Sequence, residues 1–378
     1  MDLKKKILIV HASAGHGHEN AAKAVDEACR KITGDPSNIR CINALDFTSS
    51  FFAGSYQKTY LFLIDRLPKV WGFFYFLLDR AAVYAFVKPF RRGFNAFFAG
   101  KLDAFFVAEN PSVIVCTHFL SVEVAAALKK SGKISSKLVV VVTDYLPHSF
   151  WLSGAVDLYA VALEETKDEL VKRGIKASKI QVTGIPIESK FSLDESREAA
   201  AKSLGLGGGL FTVLLTSGGA GIGQNGEIAR RLLLLDRKPQ ILLVCGNNRV
   251  LFDRMSLLQK NAHELKVFGF VGNMETLMAA SDLVIGKSGG LTLTESLSKG
   301  KPMIIVSPVP GQETRNARCV LRYHAGAVTS SVSGVVDQIS KVMNHPELLG
   351  QWKEGVAKMA RPQAANQIAK WVMNSDGF

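Results

Sequence analysis

Ile7-Leu-Ile-Val-His-Ala-Ser-Ala-Gly-His-Gly-His18 opens with four apolar residues, turns through small residues and histidines, and leads into a helical stretch, Glu19 to Ile32. An unbroken apolar run of this kind suits a strand buried on both faces, as in a parallel sheet covered by helices. The pattern recurs downstream: Val113–Cys116 reads as a strand, Val122–Lys129 as a helix and Leu138–Val142 as a strand of nearly pure valine, and Thr183-Gly-Ile-Pro186 closes the first half. A charged helix and the run Gly205-Leu-Gly-Gly-Gly209 then mark a junction. Beyond it the alternation restarts, with strands at Phe211–Leu215, Ile241–Cys245, Lys266–Phe268, Leu283–Ile285 and Met303–Val306. Two successive series predict an α/β protein of two doubly wound domains facing each other across a cleft. The expected boundaries are 1–190, a linker at 191–209, a second domain at 210–352, and helices at 353–378 that pack back on the first domain, bent at Pro362.

The length of 378 residues suits two domains with separate cores. The formal net charge is +13, which favours an anionic partner. Cys29, Cys41, Cys116, Cys245 and Cys319 are scattered and form no C-x-x-C pair, which points to a reducing compartment without a structural metal. No signal-peptide pattern and no run of about 18 apolar residues is present, so no membrane-spanning helix is expected.

The charge has a location. Between Phe51 and Lys101 lie 16 aromatic residues and eight Lys or Arg, against only Asp65 and Asp79. Interleaved rings and cations suit helices lying in a headgroup layer, the rings shallowly buried and the cations on anionic phosphates. The same block could form core helices with charges turned to water. A base-stacking groove is disfavoured, because Trp71-Gly-Phe-Phe-Tyr-Phe-Leu-Leu78 is too apolar, so no nucleic-acid partner is expected.

Two familiar motifs nearly appear. Gly286-Lys287-Ser288 resembles the end of a P-loop, but Ser281 stands where its first glycine belongs. Gly221-Ile-Gly223-Gln-Asn-Gly226 fits the dinucleotide fingerprint but lacks the acid about 20 residues on. What Ser217–Gly223, with Gly218 and Gly219, shares with Lys287–Thr292 is a run of small residues between a strand and a helix. Such turns present backbone N–H groups and a helix dipole to a diphosphate. A purely structural turn accounts equally well for either one alone; two in one domain favour a nucleotide-diphosphate site. His18 follows the first strand, where an imidazole could take a proton from an attacking hydroxyl, or simply cap or decorate its helix. No D-x-D pair occurs, which leaves backbone dipoles and Lys287 to offset the charge of a leaving diphosphate.

Several of these stretches together resemble glycosyltransferase family 28, within it the processive diacylglycerol glucosyltransferases and monogalactosyldiacylglycerol synthases. They are Ala12–His18, Thr143-Asp144-Tyr145, Val182–Ile187, Gly269-Phe-Val-Gly-Asn-Met274, Lys287-Ser-Gly-Gly-Leu-Thr-Leu-Thr-Glu295, and Pro308-Val-Pro-Gly-Gln-Glu313 with Asn316. The resemblance implies a GT-B fold of two Rossmann-like domains and an inverting, metal-independent, cofactor-free transfer. A hexose, glucose or galactose, would pass from a UDP-sugar to diacylglycerol or a glycolipid, giving a β-linkage. Glu295 would then bind the ribose, and Phe270 and Val271 the uracil. Ser288, Gly289, Gly290, Leu291 and Thr292 would face the diphosphate, and Gln312 and Glu313 the hexose. Gly17, Gly218, Gly219 and Asn316 would complete the nucleotide-sugar set. His18 would be the base, and Trp71, Phe73, Phe74, Arg80, Arg91 and Arg92 would serve the acceptor and an anionic membrane surface at the cytoplasmic face. Ser13 stands where the plant-type galactosyltransferases carry an acid, which tilts the reading toward the bacterial glucosyl branch. Transfer of N-acetylglucosamine to a polyprenyl-diphosphate lipid, or a UDP-sugar sensor without turnover, are the competing readings.

Overall fold

The structure is a computed structural model and describes residues 5–13, 15–49, 54–55, 58–59, 62–64, 66–98, 100–219, 221 and 223–374, with backbone only at 92 and 94–98. The chain divides into two compact units: Met1–Ser189 with Val309–Gln312 and Arg361–Phe378, and Lys190–Pro308 with Glu313–Ala360.

In the first unit the elements run β1 (Ile7–His11), α1 (His16–Ile32), β2 (Ile39–Asn43), α2 (Pro68–Leu78), α3 (Ala81–Phe98), α4 (Gly100–Glu109), β3 (Val113–Cys116), α5 (Phe119–Lys130), β4 (Lys137–Val141), β5 (Leu158–Val161), α6 (Glu164–Lys172) and β6 (Ile180–Val182). The six strands are parallel, in the order β2-β1-β3-β4-β5-β6. Strand side chains alternate between two cores. Ile7, Ile9, Val113, Val115, Val139 and Val141 pack with α1 and with Ile368, Ala369 and Val372 of the C-terminal helix Ala364–Asn374. Leu8, Val10, Ile114, Leu138 and Val140 pack with α4 and α5 on the opposite face. Both faces are covered, hence the valine-rich strands.

The second unit contains α7 (Arg197–Ser203), β7 (Thr212–Thr216), α8 (Asn225–Leu232), β8 (Gln240–Val244), α9 (Arg249–Gln259), β9 (Leu265–Phe268), α10 (Met274–Ala280), β10 (Leu283–Gly286), α11 (Gly290–Ser298), β11 (Met303–Val306), α12 (Gln312–Arg322), β12 (Gly326–Thr329), α13 (Val332–Asn344) and α14 (Pro346–Met359). Its parallel sheet has the order β12-β11-β10-β7-β8-β9. α14 ends at Met359 and the next helix begins at Ala364, so the chain breaks around Pro362 rather than bending through it. α7 lies within the stretch read as a linker and packs on α10.

Each order contains one reversal of direction. In the first sheet the chain leaves β1 for β2 on one side and returns to β3 on the other; in the second it runs β7-β8-β9 and returns to β10 beside β7. At such a switch point the loops after the two strands diverge and leave a crevice at their carboxyl ends. In the first unit Thr117 lies on one of those loops, and His18 on the first turn of the helix that follows the other. In the second the loops carry residues 217–219, 221, 223–224 and 287–289.

Candidate active site

α1 starts after Gly15, and His18 stands in its first turn. The His18 Nδ1 lies 2.8 Å from the main-chain oxygen of Thr117 and 3.0 Å from the Thr143 hydroxyl. A carbonyl can only accept, so Nδ1 carries the proton and Nε2 keeps its lone pair. Thr117 also donates its hydroxyl to the His18 carbonyl at 2.8 Å and so holds the residue at both ends. The ring packs edge to face with His118 at 4.6 Å and beside Trp151 at 6.3 Å. Burial pushes the His18 pKa down to about 4, against a smaller upward pull from the Thr117 carbonyl. The ring is therefore neutral at pH 7, the state a base requires. Burial lowers His118 and His11 in the same direction.

His118 and His148 have simpler tasks. Each caps a helix by accepting a main-chain N–H at Nδ1, from Leu120 and Phe150 respectively, both at 3.2 Å. His148 then donates from Nε2 to the Tyr75 carbonyl at 2.9 Å and ties α2 to the body of the unit. Ser13, in place of an acid, sits 3.4 Å from both His11 Nδ1 and Glu19 Oε2. Gly17 adjoins His18 in α1, half-buried.

In the second unit Gly218, Gly221 and Gly223 have φ of 67°, 61° and 144°, a region that favours glycine. The loop they form is held against the β8–α9 turn: Gly219 O accepts from Asn247 N–H at 2.9 Å, and Gly221 O from Asn248 Nδ2 at 3.1 Å. A Cβ on Gly221 would stand 1.9 Å from the Cys245 carbonyl oxygen. This close approach explains the false dinucleotide fingerprint. α11 begins at Gly290 behind Gly289, with no side-chain cap among the described residues, so its first-turn N–H groups offer an anion site that also covers Leu291 and Thr292.

Ser288 and Asn316 have a different place from the one the sequence suggests. Both are fully buried; Ser288 Oγ donates to the Glu313 carbonyl and Asn316 Nδ2 to the Ser288 carbonyl, each at 2.8 Å. Their side chains pin the start of α11 to the start of α12 and present nothing to a ligand, because buried polar groups must be paired. Lys287 and Glu295 are half-buried, Glu295 on the second turn of α11. Phe270 is 65% exposed in the loop after β9, with Val271 half-buried beside it. Glu313, in the first turn of α12, belongs to the second unit, whereas Gln312 belongs to the first, where its amide hydrogen-bonds Asp144.

The aromatic block forms α2 and α3, bent by 96° where they meet. No single described helix is long and apolar enough to cross a membrane, and the 11-residue α2 spans only about 16 Å. Exposed rings recur at helical spacing: Phe73 (64%) and Phe74 (51%) on α2, Phe86 (73%) and Phe90 (70%) on α3. Arg80 is exposed between the helices, and Trp71 is half-buried, its ring 6.1 Å from Tyr75. Arg91 is a correction: its side chain is 15% exposed, ion-paired with Glu123 at 2.9 Å and stacked on Phe150 at 4.2 Å, so it fastens α3 to α5 and faces no membrane. The Arg92 side chain lies outside the described residues, as do Phe51 and Phe52. Asp79 anchors the bend. It accepts from Ser149 N at 2.7 Å, from Ser149 Oγ at 2.9 Å and from both terminal nitrogens of Arg173 at 2.7 and 3.2 Å.

Sequence reading passed over Thr117, Thr143 and Trp151 as site residues. Only the motif Thr143-Asp144-Tyr145 marked one of them, and nothing in it announces a contact 125 positions away.

Two family models match the chain: monogalactosyldiacylglycerol (MGDG) synthase over residues 18–187, and the glycosyltransferase family 28 C-terminal domain over residues 223–368. A processive diacylglycerol beta-glucosyltransferase of Bacillus pumilus (strain SAFR-032) is 30% identical over 372 residues, covering 97% of this chain and 94% of the relative. Among solved structures, Acinetobacter baumannii MurG superposes with a TM-score of 0.64 at 14% identity, over 98% of this chain and 99% of that one. Anabaena Alr3699/HepE in complex with UDP-glucose gives 0.55 at 12%, over 98% and 100%. These likenesses show the fold, which is GT-B.

Proposed function

Since the chain belongs to glycosyltransferase family 28, with the processive diacylglycerol glucosyltransferases and monogalactosyldiacylglycerol synthases, we propose that it moves a hexose from a UDP-sugar to diacylglycerol with inversion, giving a β-glycolipid. The observation that supports this most is a neutral imidazole with a bare Nε2 at the switch point of the first sheet. The second sheet carries two glycine turns and an uncapped helix start at its own switch point.

The first unit supplies the acceptor and its base, the second the donor. The diphosphate rests on the N–H groups opening α11 and on the Gly218–Gly219 turn, with Lys287 beside it. Glu295 takes the ribose diol, Phe270 and Val271 the uracil, Glu313 and Gln312 the hexose hydroxyls. The diacylglycerol oxygen attacks the anomeric carbon from the face opposite UDP while its proton passes to His18 Nε2. The C1–O bond to the β-phosphate breaks, and UDP leaves with the electron pair. The chain needs no cofactor for this sequence. The rings of α2 and α3, with Lys69, Arg80 and Lys88, dock it peripherally on the anionic cytoplasmic face of a membrane, where diacylglycerol resides.

Incubation with UDP-glucose or UDP-galactose and diacylglycerol vesicles tests the reading. A β-hexosyl-diacylglycerol is expected, and His18→Ala should lower turnover ~10²-fold or more while UDP still binds. Product from polyprenyl-diphosphate acceptors alone, or donor binding without any turnover, would overturn it.

A further inference from the structure

We propose that Thr143, with the main-chain carbonyl of Thr117, positions His18 as a base through a neutral acceptor pair, in the place where a carboxylate commonly orients a catalytic imidazole. This rests on His18 being the base.

The two oxygens lie 2.8 and 3.0 Å from one nitrogen, Nδ1, and come from the turns after β3 and β4. The carbonyl fixes the tautomer, because it has no hydrogen to give. The hydroxyl then shares the Nδ1–H as a second acceptor and sets the ring's rotation about its Cβ–Cγ bond. When Nε2 gains a proton the ring becomes a cation, and both Nδ1 contacts become charge-assisted and strengthen. They stabilise the state formed during transfer more than the resting one, which is the condition for lowering a barrier.

Among the described residues no carboxylate hydrogen-bonds His18. The acids that adjoin His18 and Thr143 in sequence are occupied elsewhere: Glu19 pairs with Lys23 at 2.6 Å, and Asp144 accepts from Trp151 Nε1 at 3.3 Å and from Gln312. The titratable groups facing the ring are His11 from β1 and His118 from the turn after β3, and burial favours the neutral form of both. The base thus works in surroundings without a fixed charge, and Thr143 is the side chain whose polarity can be altered there without touching the main chain.

The test uses the full chain with UDP-glucose and diacylglycerol vesicles. Thr143→Val, of similar size but without the hydroxyl, should lower kcat ~10-fold while the KM for UDP-glucose and the affinity for UDP stay unchanged. Thr143→Ser should recover most of the loss. Thr143→Asp, adding a charge, should move the acid limb of the kcat/KM profile to higher pH. Nitrogen-15 spectra of the His18 ring at pH 7 should show the proton on Nδ1. Wild-type kcat in Thr143→Val, or a ring proton on Nε2, would overturn the proposal. The two readings separate cleanly: full turnover in His18→Ala removes the base itself, whereas an inactive His18→Ala beside a fully active Thr143→Val removes only the positioning role.

Discussion

Replacing Phe73 and Phe74 together by serine should detach the protein from vesicles without unfolding it. The two rings are 64% and 51% exposed and lie side by side on α2, 5.5 Å apart. A phenylalanine side chain offers roughly 200 Å², so about 230 Å² of ring surface is open to a membrane. At about 25 cal/mol per Å², complete transfer to the acyl layer would yield about 6 kcal/mol. Insertion to half that depth leaves about 3 kcal/mol, or a ~10²-fold change in partition. Both residues face away from the cores, so the folded state loses little when they change. Co-sedimentation with vesicles containing anionic lipid measures the partition. Turnover on a short-chain acceptor dispersed in detergent should stay near the wild-type level, because no vesicle has to be found. A double variant that sediments within two-fold of wild type would refute the reasoning and leave these rings as ordinary exposed surface.

Asp79→Ala should destabilise the first unit by about 3–5 kcal/mol, since it leaves the Arg173 guanidinium half-buried with a partner lost and the Ser149 N–H unsatisfied; urea unfolding checks this, and a loss below about 1 kcal/mol contradicts it. Gly221→Ala should cost about 2–4 kcal/mol, combining a left-handed φ of 61° with a Cβ placed 1.9 Å from the Cys245 carbonyl, and should weaken UDP binding in a calorimetric titration. Stability should also fall with acid in a direction His18 dictates. Its folded pKa of about 4 lies below the ordinary 6.5, so between those values the unfolded chain binds the proton and the folded chain does not. The contribution is about 2 kcal/mol between pH 7 and pH 5, lost as pH falls. Urea midpoints at the two pH values should therefore differ less in His18→Gln than in wild type; an equal difference would show that His18 titrates normally.

The parts of this molecule that were legible in its sequence are those where one local pattern has one physical solution. Short, nearly unbroken apolar runs have no better arrangement than a doubly buried parallel strand, and β1, β3, β4, β7, β8, β10 and β11 follow. β2, with Arg40 and Asn43, and β12, with only Gly326–Thr329, carry no such pattern; their neighbours in the sheet make them strands. Cations in the aromatic block show the same limit. Composition placed Arg80 and Arg91 together, but only packing sends one to water and the other into a cage of Tyr84, Phe119 and Phe150. Ser288 and Asn316 mislead for a related reason: a polar residue beside a glycine turn, or on the helix packed against it, looks like a ligand contact, yet the buried turn has carbonyls and amides of its own to satisfy, and these side chains are spent on main-chain oxygens there. The imidazole's partners were the least legible of all. The main-chain oxygen that fixes its tautomer carries no residue-type signature, and any amino acid at position 117 would supply it. What the sequence can encode there is only the Thr117 hydroxyl that grips the His18 carbonyl and the Thr143 hydroxyl that shares its ring proton, so those two side chains, more than His18 itself, are where selection on the geometry of the base can act.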